Sequence, residues 1–72
     1  MMTYQVWDDA SGNIVAGFGT RQDAVGFLQE MLDANGEDGV RELAIIAYPS
    51  DGSKPVTVLE GSEYLAGLAV RT

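Results

Sequence analysis

The stretch from Val40 to Tyr48 constrains the fold more than any other part of this 72-residue chain. Apolar side chains occupy both sides of a strand here, one set being Leu43, Ile45 and Ala47 and the other Ala44, Ile46 and Tyr48. A half-buried strand alternates apolar with polar residues, whereas a run that is apolar on both sides is typical of a strand covered above and below. We therefore expect a central strand, and the rest of the chain must cover its two faces.

Two strands are predicted before this central strand. Residues 3–8 alternate as a strand does, and residues 13–18 form a second run in which Ile14, Ala16 and Phe18 share a face. The segment between them, Asp9-Ala10-Ser11-Gly12-Asn13, consists largely of residues that favour turns. The two strands are therefore predicted to form a β-hairpin.

A helix is predicted from about residue 21 to about residue 34. Thr20 suits the N-cap position, and Asp23 places a negative charge in the first turn, where the helix dipole favours it. Apolar residues recur at helical spacing and form one stripe, which consists of Ala24, Phe27, Leu28, Met31 and Leu32. Asn35-Gly36 then provides a stop signal.

Two short elements complete the prediction. A fourth strand runs from residue 55 or 56 to Glu60, and Pro55 favours an edge position because proline donates no ladder hydrogen bond. A last helix of about two turns opens at Gly61-Ser62-Glu63, with Ser62 as its cap. We expect one α+β domain over residues 1–72 with the order ββαββα. Its four-stranded sheet is mainly antiparallel, with the main helix on one face and a short C-terminal helix. Pairing of the two hairpins through strands one and three gives the preferred strand order 2-1-3-4, and other pairings of the strands are possible.

The second face of this sheet is the most informative part of the prediction. The main helix covers one face, and the other carries apolar side chains that we expect to include Trp7, Val15, Ile46 and Tyr48. Tryptophan and tyrosine are residue types found at the energetic centres of protein interfaces. Three occupants are compatible with this face: the C-terminal segment, a second copy of the chain, or a different protein.

Charge and composition narrow the classes of partner. The chain has 11 acidic and 4 basic residues, a formal net charge of −7, which disfavours binding to nucleic acid or to anionic membranes. It has no cysteine and no histidine, so disulfides and the usual zinc sites are excluded. No apolar run approaches the ~20 residues that span a bilayer. The N-terminal residues also lack the features of a secretory signal, so the expected location is cytoplasmic.

Two short motifs suggest ligands but do not match the patterns that bind them. Gly17-Phe18-Gly19-Thr20 precedes a predicted helix beside Arg21, yet it lacks the remaining residues of a dinucleotide or phosphate-binding loop. The acidic segment 33–39 resembles a calcium loop, but Asp38 and Ala44 stand where glycine and glutamate are required. We therefore predict no catalytic, cofactor-binding or metal-binding residue, and no enzyme activity.

The leading hypothesis is a non-enzymatic module for protein–protein interaction or self-assembly, most simply a homodimer, that acts through the second face. One alternative is a small-molecule or anion binder at the junction from Gly17 to Arg21. Another is an acidic decoy that mimics nucleic acid and binds a basic protein.

Several strand and turn residues also carry a resemblance. Tyr4-Gln5-Val6-Trp7-Asp8, Ser11-Gly12-Asn13 and Glu60-Gly61 resemble the corresponding parts of a group of short, acidic, stand-alone bacterial proteins of uncharacterised function. The resemblance covers most of the chain and implies a bacterial, cytoplasmic origin. It implies no functional residue and no mechanism.

Overall fold

A computed structural model describes residues 2–71, with side chains described for residues 2–68. The elements in chain order are β1 (Met2–Asp8), β2 (Asn13–Phe18), α1 (Arg21–Asn35), α2 (Asp38–Arg41), β3 (Leu43–Pro49), β4 (Val56–Glu60) and α3 (Gly61–Arg71). The four strands form one antiparallel sheet in the order β2-β1-β3-β4. The predicted α+β class, the ββαββα order and the strand order are confirmed, and α2 is an additional short helix.

The core lies between the sheet and α1. Val6 of β1 faces Ile45 of β3 in the ladder, and both side chains are fully buried. Ala24 and Leu28 of α1 pack against this pair, as the predicted apolar stripe requires. Phe27, Met31 and Leu32 complete the contact as partly buried side chains.

Both ends of α1 are set by residues that the sequence identifies. The Thr20 hydroxyl oxygen accepts a hydrogen bond from the Asp23 backbone N–H at 3.1 Å, which satisfies one of the free donors of the first turn. At the other end Gly36 adopts φ 77°, a conformation that glycine reaches without steric cost. Its N–H donates to the Leu32 carbonyl oxygen at 2.8 Å and closes the helix.

Thr20→Ala is expected to lower the free energy of unfolding by about 1 kcal/mol, because the Asp23 N–H then loses its side-chain acceptor. Thr20→Ser keeps the hydroxyl and should lose much less. Urea denaturation of the two variants beside the unmodified chain measures both values. Equal losses in the two variants would show that the hydroxyl does not stabilise the helix.

The central strand begins three residues later than its apolar run suggests. Val40, which the sequence placed at the start of that strand, lies instead in α2, where its side chain is fully buried in the core. The backbone N–H groups of Val40 and Arg41 both donate to the Glu37 carbonyl oxygen, which turns the chain. Arg41 also forms ion pairs with Asp38 and Glu37. These local interactions, between residues three and four apart, favour a helical turn over extension of β3.

The C-terminal helix differs from its prediction in length and in its cap. It has 11 residues, about three turns, and follows β4 with no intervening loop. Ser62 therefore lies inside the helix and is not its cap. The Glu60 backbone N–H instead donates to the Glu63 side-chain oxygen Oε1 at 3.2 Å, the reciprocal half of a capping box.

Two β-bulges change which side chains share a face. The pairing of β1 with β2 shifts between Val6 and Trp7, so that Val6 faces Ala16 but Trp7 faces Ile14. Ile14 therefore lies on the same side of the sheet as Trp7, and the prediction that it shares a face with Ala16 is wrong. A second shift between Ile45 and Ile46 places Leu59 beside Ile45 and Thr57 beside Ile46.

Candidate functional site

All three described helices pack on the same side of the sheet. Val40 of α2 belongs to the cluster formed by the core residues of α1, β1 and β3, and Tyr64 and Leu65 of α3 pack against that cluster. The Tyr64 hydroxyl donates to Gln29 Oε1 of α1 at 2.6 Å, which ties the C-terminal helix to the main helix. The C-terminal segment is therefore not what covers the second face of the sheet.

We call that uncovered side the open face and define it by strand register. Its members are Ile14, Trp7, Ala44 and Glu60 in one row across the sheet, Gly17, Gln5, Ile46 and Thr57 in the next, and Thr3 and Tyr48 in the third. The face thus combines apolar and aromatic side chains with amides and hydroxyls. Glu60, at one corner, is its single carboxylate.

The side chains of the open face partly shield one another. Ala44 is only 4% exposed although no described helix lies over it, because it sits between Trp7 and Glu60 in the ladder. Trp7, Ile46 and Tyr48 are half-buried, and Ile14 is 51% exposed. The indole Nε1 of Trp7 is shielded from solvent and has no acceptor among the described residues.

Three of the four predicted interaction residues come together on the open face. Trp7 of β1 and Ile46 and Tyr48 of β3 lie in three successive rows of this face. Val15 does not join them, because the bulge in the β1–β2 pairing leaves it without a ladder partner and it lines a hollow with Met31 and Leu43 on the helix side. Ile14 takes its place. The prediction that Val15 belongs to this surface is therefore wrong.

The only sequence signal that bears on this exchange is the run Ile14-Val15-Ala16, which is apolar at three successive positions. Either phase of alternation fits such a run, so the face of each residue depends on where the bulge falls. Gln5, which the alternation of residues 3–8 places on the same side as Trp7, lies in the middle row of the open face.

The alternative ligand site has a cleft beside it. Arg21, at the start of α1, lines a cavity of about 250 Å³ between α1 and α3, together with Val25, Leu59, Tyr64 and Leu68 among others. The Asp23 backbone N–H, one of the amides that an anion would use, already donates a hydrogen bond to the Thr20 hydroxyl oxygen. The net charge of −7 also opposes anion binding at an exposed arginine. The geometry therefore gives this alternative less support than it gives the open face.

The acidic segment that resembles a calcium loop folds differently from one. Asp38 and Glu37 pair with Arg41, and the segment forms α2 in place of an open loop. Within residues 2–71, no group of three or more carboxylates is placed to hold a metal ion.

The turn between β3 and β4 contains a carboxylate with a perturbed pKa. The Ser53 hydroxyl and the Ser53 backbone N–H both donate to the Asp51 carboxylate, and these hydrogen bonds hold the pKa of Asp51 below its usual value. The group is fully exposed. This arrangement is that of an Asx turn, in which an aspartate accepts from the backbone two residues on, and it accounts for the shift structurally.

Comparisons of the chain with family models, with curated proteins and with solved structures find no match. None of the helices described is both long enough and apolar enough to cross a membrane. The open face and its chemistry therefore provide the basis for a proposed function.

Proposed function

We propose that the chain is a non-enzymatic, cytoplasmic module for protein–protein interaction that binds through its open face. The observation that carries this proposal is the placement of all three described helices on the opposite side of the sheet. An antiparallel sheet can leave one face to water, but such a face is normally polar. This one carries Trp7, Ile14, Ile46 and Tyr48 in neighbouring positions.

The composition of the open face supports the same proposal. Interface centres are depleted in charged residues and enriched in tyrosine, tryptophan and other aromatic side chains. The open face has one carboxylate, at its corner, in a chain with 15 charged residues in all, 11 acidic and 4 basic. The near absence of charge from the open face supports a role in which this face loses its water when the protein binds a partner. An acidic decoy would instead present its carboxylates to the partner, and the open face does not.

Site-specific photo-crosslinking in cells that express the chain tests the proposal. A benzophenone amino acid at position 5 lies in the middle row of the open face, whereas one at position 22 lies on the exposed surface of α1. We expect discrete crosslinked products, with this chain or with another protein, from Gln5→benzoylphenylalanine only. Both variants must show the same thermal midpoint as the unmodified chain. The proposal is overturned if position 5 gives no more product than position 22.

A further inference from the structure

We propose that the occupant of the open face is a second copy of this chain, bound face to face as a weak two-fold symmetric dimer. This inference rests on the proposed function and specifies its partner. Hydrophobicity alone does not identify the partner of the open face. The charge, the hydrogen-bonding groups and the area of this face favour a second copy.

The charge pattern favours a copy over a basic protein. A basic partner gains affinity by placing lysine or arginine against carboxylates, and only Glu60 lies on the open face. A cation brought against the rest of the face would lose its water without gaining a counter-charge. An uncharged surface avoids this cost, and the open face of a second copy is such a surface. The remaining acids lie outside the two contacting faces, so their mutual repulsion weakens the dimer without excluding it.

The polar side chains of the open face can pair with their own copies. Gln5 carries both donors and an acceptor, and the hydroxyls of Thr3, Thr57 and Tyr48 each donate and accept. Lysine and arginine only donate, and a carboxylate only accepts, so a face whose charges are all of one sign cannot satisfy itself across a two-fold axis. In an isologous interface the same patch meets itself, which makes this self-complementarity a requirement. The open face meets it everywhere except at the Glu60 corner.

The area of the face predicts a weak dimer. β1 and β3 each contain seven residues. At ~3.3 Å per residue and ~4.8 Å between strands, the face measures roughly 23 by 19 Å. Two such faces bury on the order of 900 Å² together, below the ~1,200 Å² of standard stable interfaces. We therefore expect a concentration-dependent equilibrium, with dissociation in the micromolar to near-millimolar range.

The register of the strand ladder identifies the residues that lie near the symmetry axis. The row that contains Gln5 and Ile46 is the middle one of the three rows of the face. A two-fold axis through the centre of the patch passes close to these residues, so each lies near its own copy in the partner. A single cysteine at position 5 should then be joined to its own copy by a short bismaleimide, because facing sheets pack about 10 Å apart and a direct disulfide needs Cα atoms within about 7 Å. The chain has no cysteine of its own, so the introduced thiol is the only one present.

Two measurements test this inference. In sedimentation equilibrium from about 1 μM to 1 mM, the average mass should rise from that of the 7.7 kDa chain towards twice that value. The emission of Trp7, the one tryptophan in the chain, should shift to longer wavelength on dilution as the open face regains water. Ile46→Lys places a charge in the middle row and should weaken dimerisation at least tenfold, while it lowers the thermal midpoint of the folded monomer at 1 μM by no more than Ile46→Ala does.

A pair of single-cysteine variants, at positions 5 and 22, supplies the control. With a substoichiometric amount of a short bismaleimide at 100 μM, Gln5→Cys should give at least tenfold more covalent dimer than Gln22→Cys, whose thiol is exposed on α1. A constant monomer mass up to 1 mM, or equal yields of bismaleimide-linked dimer from the two thiols, overturns the second copy as the occupant. That result leaves the proposed function in place if benzophenone at position 5 still captures another protein in cells. The dimer and the proposed function both fail only if benzophenone at position 5 also gives no crosslinked product in cells.

Discussion

Gly61→Ala is expected to separate the C-terminal helix from the rest of the molecule and to lower the free energy of unfolding by about 3 kcal/mol. Gly61 is buried at the junction of β4 and α3. A Cβ atom built there would overlap the backbone carbonyl oxygen of Val40, with the Val40 carbonyl carbon at 2.8 Å and the Leu43 carbonyl oxygen at 3.0 Å. Backbone atoms cannot move aside as a flexible side chain can, so α3 must shift away from α2 and from the start of β3.

The size of this effect follows from how small the domain is. A 72-residue domain without disulfides has a total stability of roughly 3–5 kcal/mol. Loss of the α3 contacts also exposes Tyr64 and Leu65, which pack against the core cluster. We expect Gly61→Ala to be largely unfolded or to have a detached C-terminal helix at 37 °C. Far-UV circular dichroism and urea denaturation distinguish these two states.

Gly67→Ala is the matched control in the same helix. Gly67 is exposed, and a Cβ atom there would meet nothing within 4 Å. Alanine has the higher helix propensity, so Gly67→Ala should leave stability unchanged or raise it by up to about 1 kcal/mol. If Gly61→Ala loses no more stability than Gly67→Ala, the helix is not docked where the structure places it.

Much of this fold follows from local signals in the sequence. Thr20 and Gly36 define α1 because side-chain capping and a positive φ act within a few residues. The alternation of Leu43 to Tyr48 defines both faces of β3, and the structure confirms that Ile45 and Ile46 point to opposite sides. The strand order 2-1-3-4 results only if the two hairpins pair through strands one and three, and the structure has that pairing.

Apart from the start of β3, which local interactions set, the errors have a common physical origin in packing between separate elements. The start of α3 is fixed by Gly61 against the Val40 and Leu43 carbonyl groups, which are about twenty residues away in the sequence. The bulge that exchanges Val15 for Ile14 is set by how β1 pairs with β2, and an apolar run fits either register. Whether α3 covers the open face depends on which side of the sheet it crosses. The apolar spacing in α3, which includes Tyr64 and Leu65, does not specify that side.

Ile45→Ala and Ile46→Ala should differ sharply although the two residues are neighbours in the chain. Ile45 is fully buried between the sheet and α1, so its truncation leaves a cavity and should cost about 3–4 kcal/mol. Ile46 lies half-buried on the open face, and its truncation in dilute solution should cost about 1 kcal/mol or less. Urea denaturation at 1 μM measures both, with Ile45→Val as an intermediate that should lose about 1 kcal/mol.

The same pair reports on the open face when the protein is concentrated. A partner that binds only the folded chain raises its apparent stability, and the gain grows with partner concentration. The unmodified chain should therefore become harder to unfold between 1 μM and 1 mM, and Ile45→Val should gain equally because its open face is intact. Ile46→Ala should gain less, so its deficit relative to the unmodified chain widens with concentration. If Ile46→Ala at 1 μM already loses as much free energy of unfolding as Ile45→Ala, then Ile46 belongs to the core of the monomer. The face would then not be available to any partner.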